Sequence, residues 1–453
     1  MVLGTDNRVV ALAMARMADA LGNSFLIIVL PLYIASGRIS LAGVDGFTTE
    51  LLIGVVLSLF GLLNSSLQPF TGRLSDRVGK RKAFILAGLV VFGVASAAYP
   101  FVSSYWSVLA VRALQGVGAA LTIPVTIALV NEYATDDAQR GGNFGVFNTF
   151  RLIGFGFGPI VAGVLITGGF GGEKVVTYVL TDVFGPLAGA RISGFDAAFS
   201  IAVLGALVSI LLVVLLVDDP ATERAEAAAD DLSVRIRGRD QLLDPVFVVG
   251  VGTFFMAVGI AIFATIQEVI NAQLGQGPFL FSVQFAAVVI ANVVFQVPIG
   301  RASDRIGRRP FLVGGFALLV PSLALQAYVP ELATLLPESL LGISSAPLLM
   351  LVFRLLQGVS VAMVFAPGLA LAGDLAGKGQ SGTTLSVLTT AFAFGVAIGP
   401  LVSGYVIRFG FAAPFLVAAG LALLALVLTY SQVWETLGAD RTAESEPDAA
   451  PHD

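Results

Sequence analysis

Long apolar segments recur along the whole 453-residue chain, and they restrict its fold more than any other feature. A helix that crosses the hydrocarbon core of a bilayer needs about 20 mostly apolar residues. Windows of that length give twelve candidate spans, at residues 9–34, 50–71, 83–102, 105–131, 141–168, 196–217, 246–272, 280–300, 311–329, 347–373, 382–407 and 412–433. Strands of a membrane β-barrel would be about 10 residues long with alternating polarity, a pattern that this sequence lacks. The sequence therefore predicts an all-α membrane protein with twelve transmembrane helices.

The composition agrees with this class and excludes several kinds of chemistry. Hydrophobic residues make up 57% of the chain and charged residues 12%, too few charges for a soluble protein of this size. Cysteine is absent and the one histidine, His452, lies in the polar tail, which excludes disulfides, thiolate metal sites and histidine proton chemistry inside the membrane. The sequence contains no nucleotide-binding loop of the Gly-x4-Gly-Lys-Ser/Thr type. We therefore expect no enzyme activity, metal or cofactor, and ATP-driven pumping by this chain alone is disfavoured.

The distribution of positive charge predicts the orientation. The first apolar run is too long for a cleavable signal peptide and is interpreted as a retained span. With both termini in the cytoplasm, 17 of the 25 Lys and Arg residues fall on the cytoplasmic side, four fall outside, and four lie within spans, as the positive-inside rule requires. We expect a multi-pass protein of the cell membrane. The scarcity of lysine and the acidic segments 218–231 and 435–453 suggest a halophilic source.

The chain contains two copies of one unit. The segment GRLSDRVGKRK (72–82) returns 228 residues later as GRASDRIGRRP (300–310). Two further pairs occur at shifts of 242 and 241 residues, namely RALQGVGAA (112–120) with RLLQGVSVA (354–362), and GFGFGPIVAG (154–163) with GVAIGPLVSG (395–404). Six spans return the chain to the same side of the membrane, so the copies are parallel repeats. Two such halves with a site between them near the bilayer midplane are typical of transporters.

This repeat predicts the domain organisation. We expect an N-terminal six-helix bundle at 1–217, a cytoplasmic linker at 218–244, a C-terminal six-helix bundle at 245–434 and an acidic cytoplasmic tail at 435–453.

Three of these motifs resemble the major facilitator superfamily, and the resemblance extends over nearly the whole chain. GRLSDRVGKRK is similar to the family's signature loop, and RALQGVGAA is similar to its fourth-helix motif. GFGFGPIVAG is similar to the fifth-helix motif associated with the twelve-helix drug:proton antiporters. The resemblance implies two pseudo-symmetric six-helix bundles and a secondary transporter that works by alternating access.

The signature loop is expected to act as a conformational latch. An acid on a basic face is stabilised by an arginine or by a helix N-terminus. The resemblance implies that Asp76 contacts the opposite half, near the start of span 11, when the cytoplasmic side is closed. The alternative is that the cations of this segment only set the topology. The predicted latch residues of the two repeats are Gly72, Asp76, Arg77, Gly79, Lys80, Arg81, Gly300, Asp304, Arg305, Gly307 and Arg308.

Small residues in spans 5 and 11 predict close helix packing. They recur every four residues, a spacing that lets backbones approach closely in lipid, and a proline in each span bends the axis. We expect this close, bent contact to join the two halves and to take part in gating; ordinary helix packing is the alternative. The predicted residues are Gly154, Gly158, Pro159, Gly163, Gly395, Gly399, Pro400 and Gly404.

Charges inside the spans indicate the site of coupling. A buried ionisable group costs at least about 2.5 kcal/mol on insertion scales, and Asp19 is the deepest carboxylate. Burial raises the pKa of an acid and a neighbouring arginine lowers it. We hypothesise that Asp19 carries the coupling proton with Arg112 as its partner, the alternative being a permanent ion pair between spans 1 and 4. A central cavity is expected to be lined by Asn23, Gln115, Asn148, Arg151, Asn292, Arg354 and Gln357.

The leading functional hypothesis is proton-coupled efflux of hydrophobic or drug-like small molecules. The span-1 equivalent in the second half, residues 256–263, carries no acid and several neighbouring positions are phenylalanine, which favours an amphipathic substrate. Transport of organic or inorganic anions is the first alternative, because four intramembrane arginines face one aspartate. A non-transporting membrane sensor on the same scaffold is the second. The expected partners are a small-molecule substrate, protons and lipid, without nucleic acid, and a monomer suffices for this architecture.

Overall fold

The computed structural model describes residues 6–134, 137–170, 172, 174–179, 189, 191–219, 242–340, 342–375 and 381–435. Most of the expected linker (218–244) and of the expected tail (435–453) lies outside these residues.

Helices make up nearly all of the described chain. In chain order they are α1 (Asn7–Ala35), α2 (Thr49–Val78), α3 (Arg81–Ala98), α4 (Tyr105–Glu132), α5 (Asp137–Thr167), α6 (Gly194–Leu216), α7 (Pro245–Thr265), α8 (Gln267–Leu274), α9 (Pro278–Ile306), α10 (Arg308–Ala327), α11 (Val329–Ala333), α12 (Ser345–Asp374), α13 (Ser381–Val406) and α14 (Ala412–Gln432). Among the described residues, twelve helices are long and apolar enough to cross a membrane, all of them except the short α8 and α11. The predicted all-α fold with twelve spans is therefore confirmed.

Two short hairpins accompany the helices. Strand β1 (Thr177–Val179) pairs antiparallel with β2 (Arg191–Ser193), and β3 (Ser339–Leu340) pairs antiparallel with β4 (Ile343–Ser344). Both lie in the connections at the same end of the molecule, before α6 and before α12.

The charged repeats are helical for most of their length. α2 continues through the first seven residues of the segment and ends at Val78, where Gly79 turns the chain with φ +70°. Gly307 plays the same part after α9 with φ +124°. Side chains other than glycine rarely adopt such φ values, so both glycines are required by the turn. The end of the molecule that carries these two turns is called the basic end below, and the opposite end is called the sealed end.

Helices α1–α6 form one half, and α7, α9, α10, α12, α13 and α14 form the other. The halves meet along two seams, α2 against α13 and α5 against α9. The seams match under the sequence repeat. Gly404 on α13 approaches Leu51 on α2, as Gly163 on α5 approaches Phe279 on α9: a methyl group added at either glycine would lie 2.9 Å or 3.1 Å from the facing Cα. All four residues belong to the sealed end.

The halves separate towards the basic end. Gly145 lies on the same face of α5 as Gly156 and Gly163, because their spacings of 11 and 7 residues are near whole turns. A methyl group added at Gly156 would meet Val289 of α9 at 3.5 Å, whereas one added at Gly145 would meet nothing within 4 Å. Gly300, near the end of α9, also has no neighbour within that distance. A central cleft between the halves therefore opens at the basic end.

The glycine stripes predicted to join the halves pack within them instead. Gly154 and Gly158 lie against Met17 and Leu21 of α1, in their own half. Gly395 and Gly399 lie in the same way against α7, and Ser403 donates a hydrogen bond to the carbonyl of Ile262 (2.7 Å). The expected inter-half contact was therefore wrong for these four glycines. It holds for Gly163, Pro400 and Gly404, which occupy other faces of the same helices.

Candidate substrate and proton site

Asp19 lies in the interior of the N-terminal half. Its residue is 6% exposed and it borders a cavity of about 10 Å³, roughly the room that one water molecule needs. The other lining residues come from α1, α3, α4 and α6, and they are Leu12, Ala15, Arg16, Ile85, Leu89, Thr122, Thr126 and Val213. The acid therefore faces the core of its own half.

Arg16 is the ion-pair partner of Asp19. The guanidinium donates to the carboxylate one helical turn away on α1, and both side chains are nearly buried. The predicted partner, Arg112, is not paired with Asp19. Measured from the basic end, Asp19 lies 12 residues along α1 and Arg112 lies 20 residues along α4, so their depths differ by about 12 Å at 1.5 Å per residue. The pairing predicted from sequence was wrong for this reason.

Arg112 is held by neutral groups. It donates to Gln115 Oε1 (3.0 Å) and lies over the ring of Phe60, 4.3 Å from its centroid. Gln115 in turn donates to Ser96 Oγ (2.9 Å) and accepts from the Tyr99 hydroxyl (2.9 Å). Stacking on an aromatic face partly compensates the loss of water around a guanidinium.

Arg354 has a similar environment in the C-terminal half. It donates to Gln357 Oε1 (2.8 Å) and to the carbonyl of Gln284 (3.2 Å), and it lies over Phe263, 4.1 Å from the centroid. Arg112 and Arg354 are each 1% exposed, and neither forms a salt bridge with a described residue. Both are sealed inside their halves in this conformation.

Arg151 is the arginine that the cleft can reach. It is partly exposed, and its Nε and Nη2 donate to Asn148 Oδ1 at 3.0 Å and 2.9 Å. The two residues lie on one side of α5, between the faces that pack on α1 and on α9. The other side carries Ile153 and Phe157, 40% and 53% exposed, as a lipid-facing surface requires. Arg151 and Asn148 therefore face the central cleft.

Amides of α2 and α9 line the same cleft below the seams. Gln68, one turn from Asn64 and bonded to it (3.1 Å), continues the face of α2 that meets α13. Asn292 lies at the matching position of α9, and its Oδ1 is buried without a hydrogen-bond partner in the described residues. Asn23 of α1 has an unpartnered Oδ1 as well. These amides leave hydrogen-bonding capacity for a bound molecule.

The C-terminal side of the cleft is aromatic. Under the repeat of 241 residues, Arg151 of α5 corresponds to Phe392 of α13 and Asn148 corresponds to Thr389. The ring of Phe392 contacts Phe365 of α12, with centroids 5.4 Å apart. The cleft therefore has a cationic, amide-rich side and an aromatic side.

The predicted latch residues form ion-pair clusters inside each half. Asp76 accepts from Arg81 (2.7 Å), which also binds Glu132 at the end of α4. In the second half Arg308 binds Asp304 and Asp374 (3.2 Å). The expected contact of Asp76 with the opposite half is not formed, because the halves are apart at this end. Four other members have exposed backbones or side chains here: Arg77, Gly79, Lys80 and Arg305.

Several polar residues near these sites escaped the sequence analysis. Thr122 and Thr126 line the Asp19 cavity, and Gln326 of α10 donates to Gln357 Oε1 (3.1 Å). Gln267, where α7 breaks at Ile266, is fully buried and neither side-chain polar atom has a described partner. Residues of this kind interrupt apolar runs singly, so only their three-dimensional neighbours distinguish them from ordinary spacing.

Comparison with known proteins decides the family. The model described as Major Facilitator Superfamily matches residues 12–259 and 247–450, nearly the whole chain. The chain belongs to the major facilitator superfamily. Its fold and family are those of transporters.

The curated relatives are distant. An MFS-type transporter of Methanocaldococcus jannaschii is 36% identical over 117 residues, which are 26% of this chain and 30% of the relative. The bacillibactin exporter of Bacillus subtilis is 28% identical over 163 residues, 35% of this chain and 38% of the exporter. The methyl viologen resistance protein SmvA of Salmonella typhimurium is 29% identical over 111 residues, 24% of this chain and 22% of SmvA. The chain spans about a fifth to two fifths of the length of these relatives.

Solved superfamily structures share the fold over nearly the full length. A bacterial homologue of the human lysosomal transporter Spinster, in an inward-facing and occupied conformation, has a TM-score of 0.71 at 14% identity and covers 93% of this chain and 95% of its own. The nucleoside transporter NupG has a TM-score of 0.67 at 13% identity, with 94% and 99% covered. At such identities the likeness concerns the fold alone.

Proposed function

We propose that this superfamily member is a proton-coupled secondary transporter that exports hydrophobic small molecules by alternating access. The cleft lies between two similar halves, open at the basic end and closed by the two seams at the other. Moving the halves about the cleft would expose one site to each side of the membrane in turn. Because positive charge favours the cytoplasm, the basic end is assigned to the cytoplasmic side, with the protein in the cell membrane.

The observation that carries the proton coupling is the burial of Asp19. It is the one carboxylate of the described spans that lies away from the helix ends. Its surroundings are apolar residues, two threonines and Arg16. Burial favours the neutral acid and Arg16 favours the carboxylate, so a movement of Arg16 changes which form is stable. Asp19 would then take up a proton in one conformation and release it in the other.

Two observations support the direction of transport. Relatives that match this chain include the bacillibactin exporter and Citrate exporter 1 of Aspergillus niger. The small-residue motif of α5 resembles that of exporters, and the structure uses it to pack α5 closely on α1, the helix that carries Asp19. The aromatic side of the cleft suits an apolar substrate.

The test is reconstitution of the full chain in liposomes with an imposed pH gradient and a panel of small molecules. We expect the wild type to accumulate a substrate against its gradient when a pH gradient is present. Asp19→Asn should abolish this accumulation while leaving exchange of substrate across the membrane intact. The matched control is Asp45→Asn, at an exposed acid in the connection before α2, which should behave as wild type. Full pH-driven accumulation by Asp19→Asn would overturn the assignment of the proton site.

A further inference from the structure

The charges that border the cleft are not balanced by the protein. Among the described residues, the cleft side of the N-terminal half carries Arg151 and Arg16, and Asp19 is the only carboxylate near them. Arg151 hydrogen-bonds only to a neutral amide, and Arg16 Nε is buried without a partner. An arginine inside a membrane is expensive and is normally compensated. The compensating charge at this site is therefore expected to come from a bound molecule.

Arg16 stands between Asp19 and Arg151. It is paired with Asp19 on the core side of α1, and it lies close enough to Arg151 for the two positive charges to interact. α1 and α5 are in register here, since Gly154, one turn above Arg151, rests on Met17. An anion bound to Arg151 in the cleft would thus be next to Arg16 as well.

We propose that the transported molecule is an amphipathic organic anion, whose negative group binds Arg151 and Arg16 and whose apolar body lies against Phe392 and Phe365. This inference rests on the proposed proton site at Asp19. Planar guanidinium groups bind carboxylates and similar oxyanions through paired hydrogen bonds. Asn148 would keep Arg151 oriented towards the cleft. The aromatic rings of the opposite half provide the apolar surface.

The same geometry sets the sign of the coupling. An anion beside Arg16 competes with the Asp19 carboxylate for that guanidinium, so its binding favours protonated Asp19. No other ionisable group faces Asp19: α3 presents Ile85 and Leu89, α4 presents two threonines and α6 presents Val213. The proton and the anion therefore bind together and move in the same direction. For a monoanion the loaded site gains no net charge, unlike the exchange expected of a drug:proton antiporter.

Three naphthalene probes of equal size separate substrate charge from substrate shape. They are 1-naphthylacetate, its neutral amide, and a naphthylmethyl trimethylammonium cation. Binding to the purified full chain in detergent is measured between pH 5.5 and 8. We expect the carboxylate to bind better than the other two, and more tightly as the pH falls. Equal or tighter binding of the cation or the amide would overturn the proposal.

Variants at Arg151 and Asp19 test the two roles separately. Arg151→Gln should weaken binding of the carboxylate by about tenfold or more, the usual effect of losing a charged hydrogen-bond partner, and should leave the amide unaffected. Arg151→Lys should restore part of the affinity, which shows that the loss does not come from misfolding. If Arg151→Gln binds all three probes as wild type does, the anion site is wrong.

The membrane potential decides the coupling sign. In liposomes, a potential set with potassium and valinomycin should not drive uptake of the carboxylate by wild type, because a proton accompanies it. In Asp19→Asn no proton moves, so the uptake should become dependent on the potential. Potential-dependent uptake by wild type would overturn the inferred co-movement. If carboxylate binding needs Arg151 but its pH dependence is unchanged in Asp19→Asn, the anion site stands and the proposed proton site fails.

Discussion

The two halves of the protein use one frame for different interiors. Gly154 rests on Met17 and Gly395 rests on Phe254, so α1 and α7 correspond with a shift of 237 residues. Asp19 then corresponds to Met256, and Arg16 corresponds to Thr253. Met256 is fully buried, and the Thr253 hydroxyl donates to a carbonyl of its own helix (2.7 Å).

The cavity beside Asp19 has no counterpart of the same kind. At the corresponding position of α10, Phe316 is fully buried, and a methyl group added at Gly252 of α7 would meet its ring at 2.7 Å. An aromatic ring and a methionine thus fill what is a polar, water-sized space in the N-terminal half. The repeat conserves helix placement, whereas charge is concentrated in the half that we propose binds the proton.

The comparison is broken most strongly by placing an acid in the apolar half. Met256→Asp would bury a carboxylate without an arginine, and we expect the free energy of unfolding to fall by about 3 kcal/mol. Met256→Leu is the control and should cost less than about 1.5 kcal/mol. Thermal unfolding in detergent measures both. Equal stability of Met256→Asp and wild type would mean that this interior is as polar as that around Asp19.

The two seams differ in tightness, and alanine substitutions should reveal it. A methyl group at Gly61 would lie 2.7 Å from Ala397 Cβ, whereas one at Gly156 would have an ordinary contact of 3.5 Å with Val289. Overpacking costs about 1–3 kcal/mol, so Gly61→Ala should open the sealed end and Gly156→Ala should not.

This difference can be measured by labelling, because the chain has no cysteine of its own. Thr265 is 1% exposed and bonds to the Pro400 carbonyl at the sealed end. In a Thr265→Cys background, the cysteine should react at least about tenfold faster with a soluble maleimide when Gly61→Ala is added, the equivalent of about 1.4 kcal/mol. Equal labelling in the two glycine variants would contradict the inferred difference between the seams.

The helices that begin each half are capped in the same way, and the caps should have smaller effects. Asp6 accepts from the backbone N–H of Arg8 (2.8 Å) and Asp244 accepts from that of Val246 (2.9 Å). Loss of such a cap costs about 1 kcal/mol, so Asp6→Ala and Asp244→Ala should each lower the melting temperature by a few degrees. A much larger effect of either would indicate a role beyond capping.

The cap of α1 also predicts a pH dependence. The hydrogen bonds from Arg8 lower the pKa of the Asp6 carboxyl below its usual value of 3.8. A depressed pKa in the folded state stabilises the protein above the unfolded pKa, and this stabilisation is lost as the pH falls through the lowered value. The stability difference between wild type and Asp6→Ala should therefore shrink below about pH 4. A difference that grows on acidification would contradict this assignment.

The ion-pair clusters at the basic end should give the smallest effects. Exposed pairs contribute about 0–1 kcal/mol. Arg81 has the less exposed partner, Glu132 at 21%, whereas the partners of Arg308 are 59% and 37% exposed. We therefore expect Arg81→Gln to lower the free energy of unfolding more than Arg308→Gln does, by a few tenths of a kcal/mol. The reverse order in thermal unfolding would show that exposure does not decide these contributions.

The sequence predicted features that depend on local spacing. The length of the apolar runs predicted the twelve spans, and the repeated motifs predicted the two halves. Spacing of three residues predicted that Gln115 would lie beside Arg112 and Gln357 beside Arg354, where the hydrogen bonds are found. Each of these follows from the pitch of a single helix or from the width of the bilayer.

Features that depend on helix rotation and depth were not predictable in the same way. The partner of Asp19 depended on how far α1 and α4 extend, and the direction of the glycine stripes depended on which face of α5 turns to α1. The side of the latch contact depended on which end of the cleft is open. None of these quantities is a property of one helix.

The sequence alone determined that this protein spans the membrane twelve times as two related bundles, because insertion into lipid is decided segment by segment by apolar length. The tertiary structure decided which charges meet. Asp19 lies against Arg16 in a closed core, while Arg151 faces the cleft across from Phe392. Pairing between buried charges depends on the relative rotation and height of packed helices, and only the assembled bundles set these.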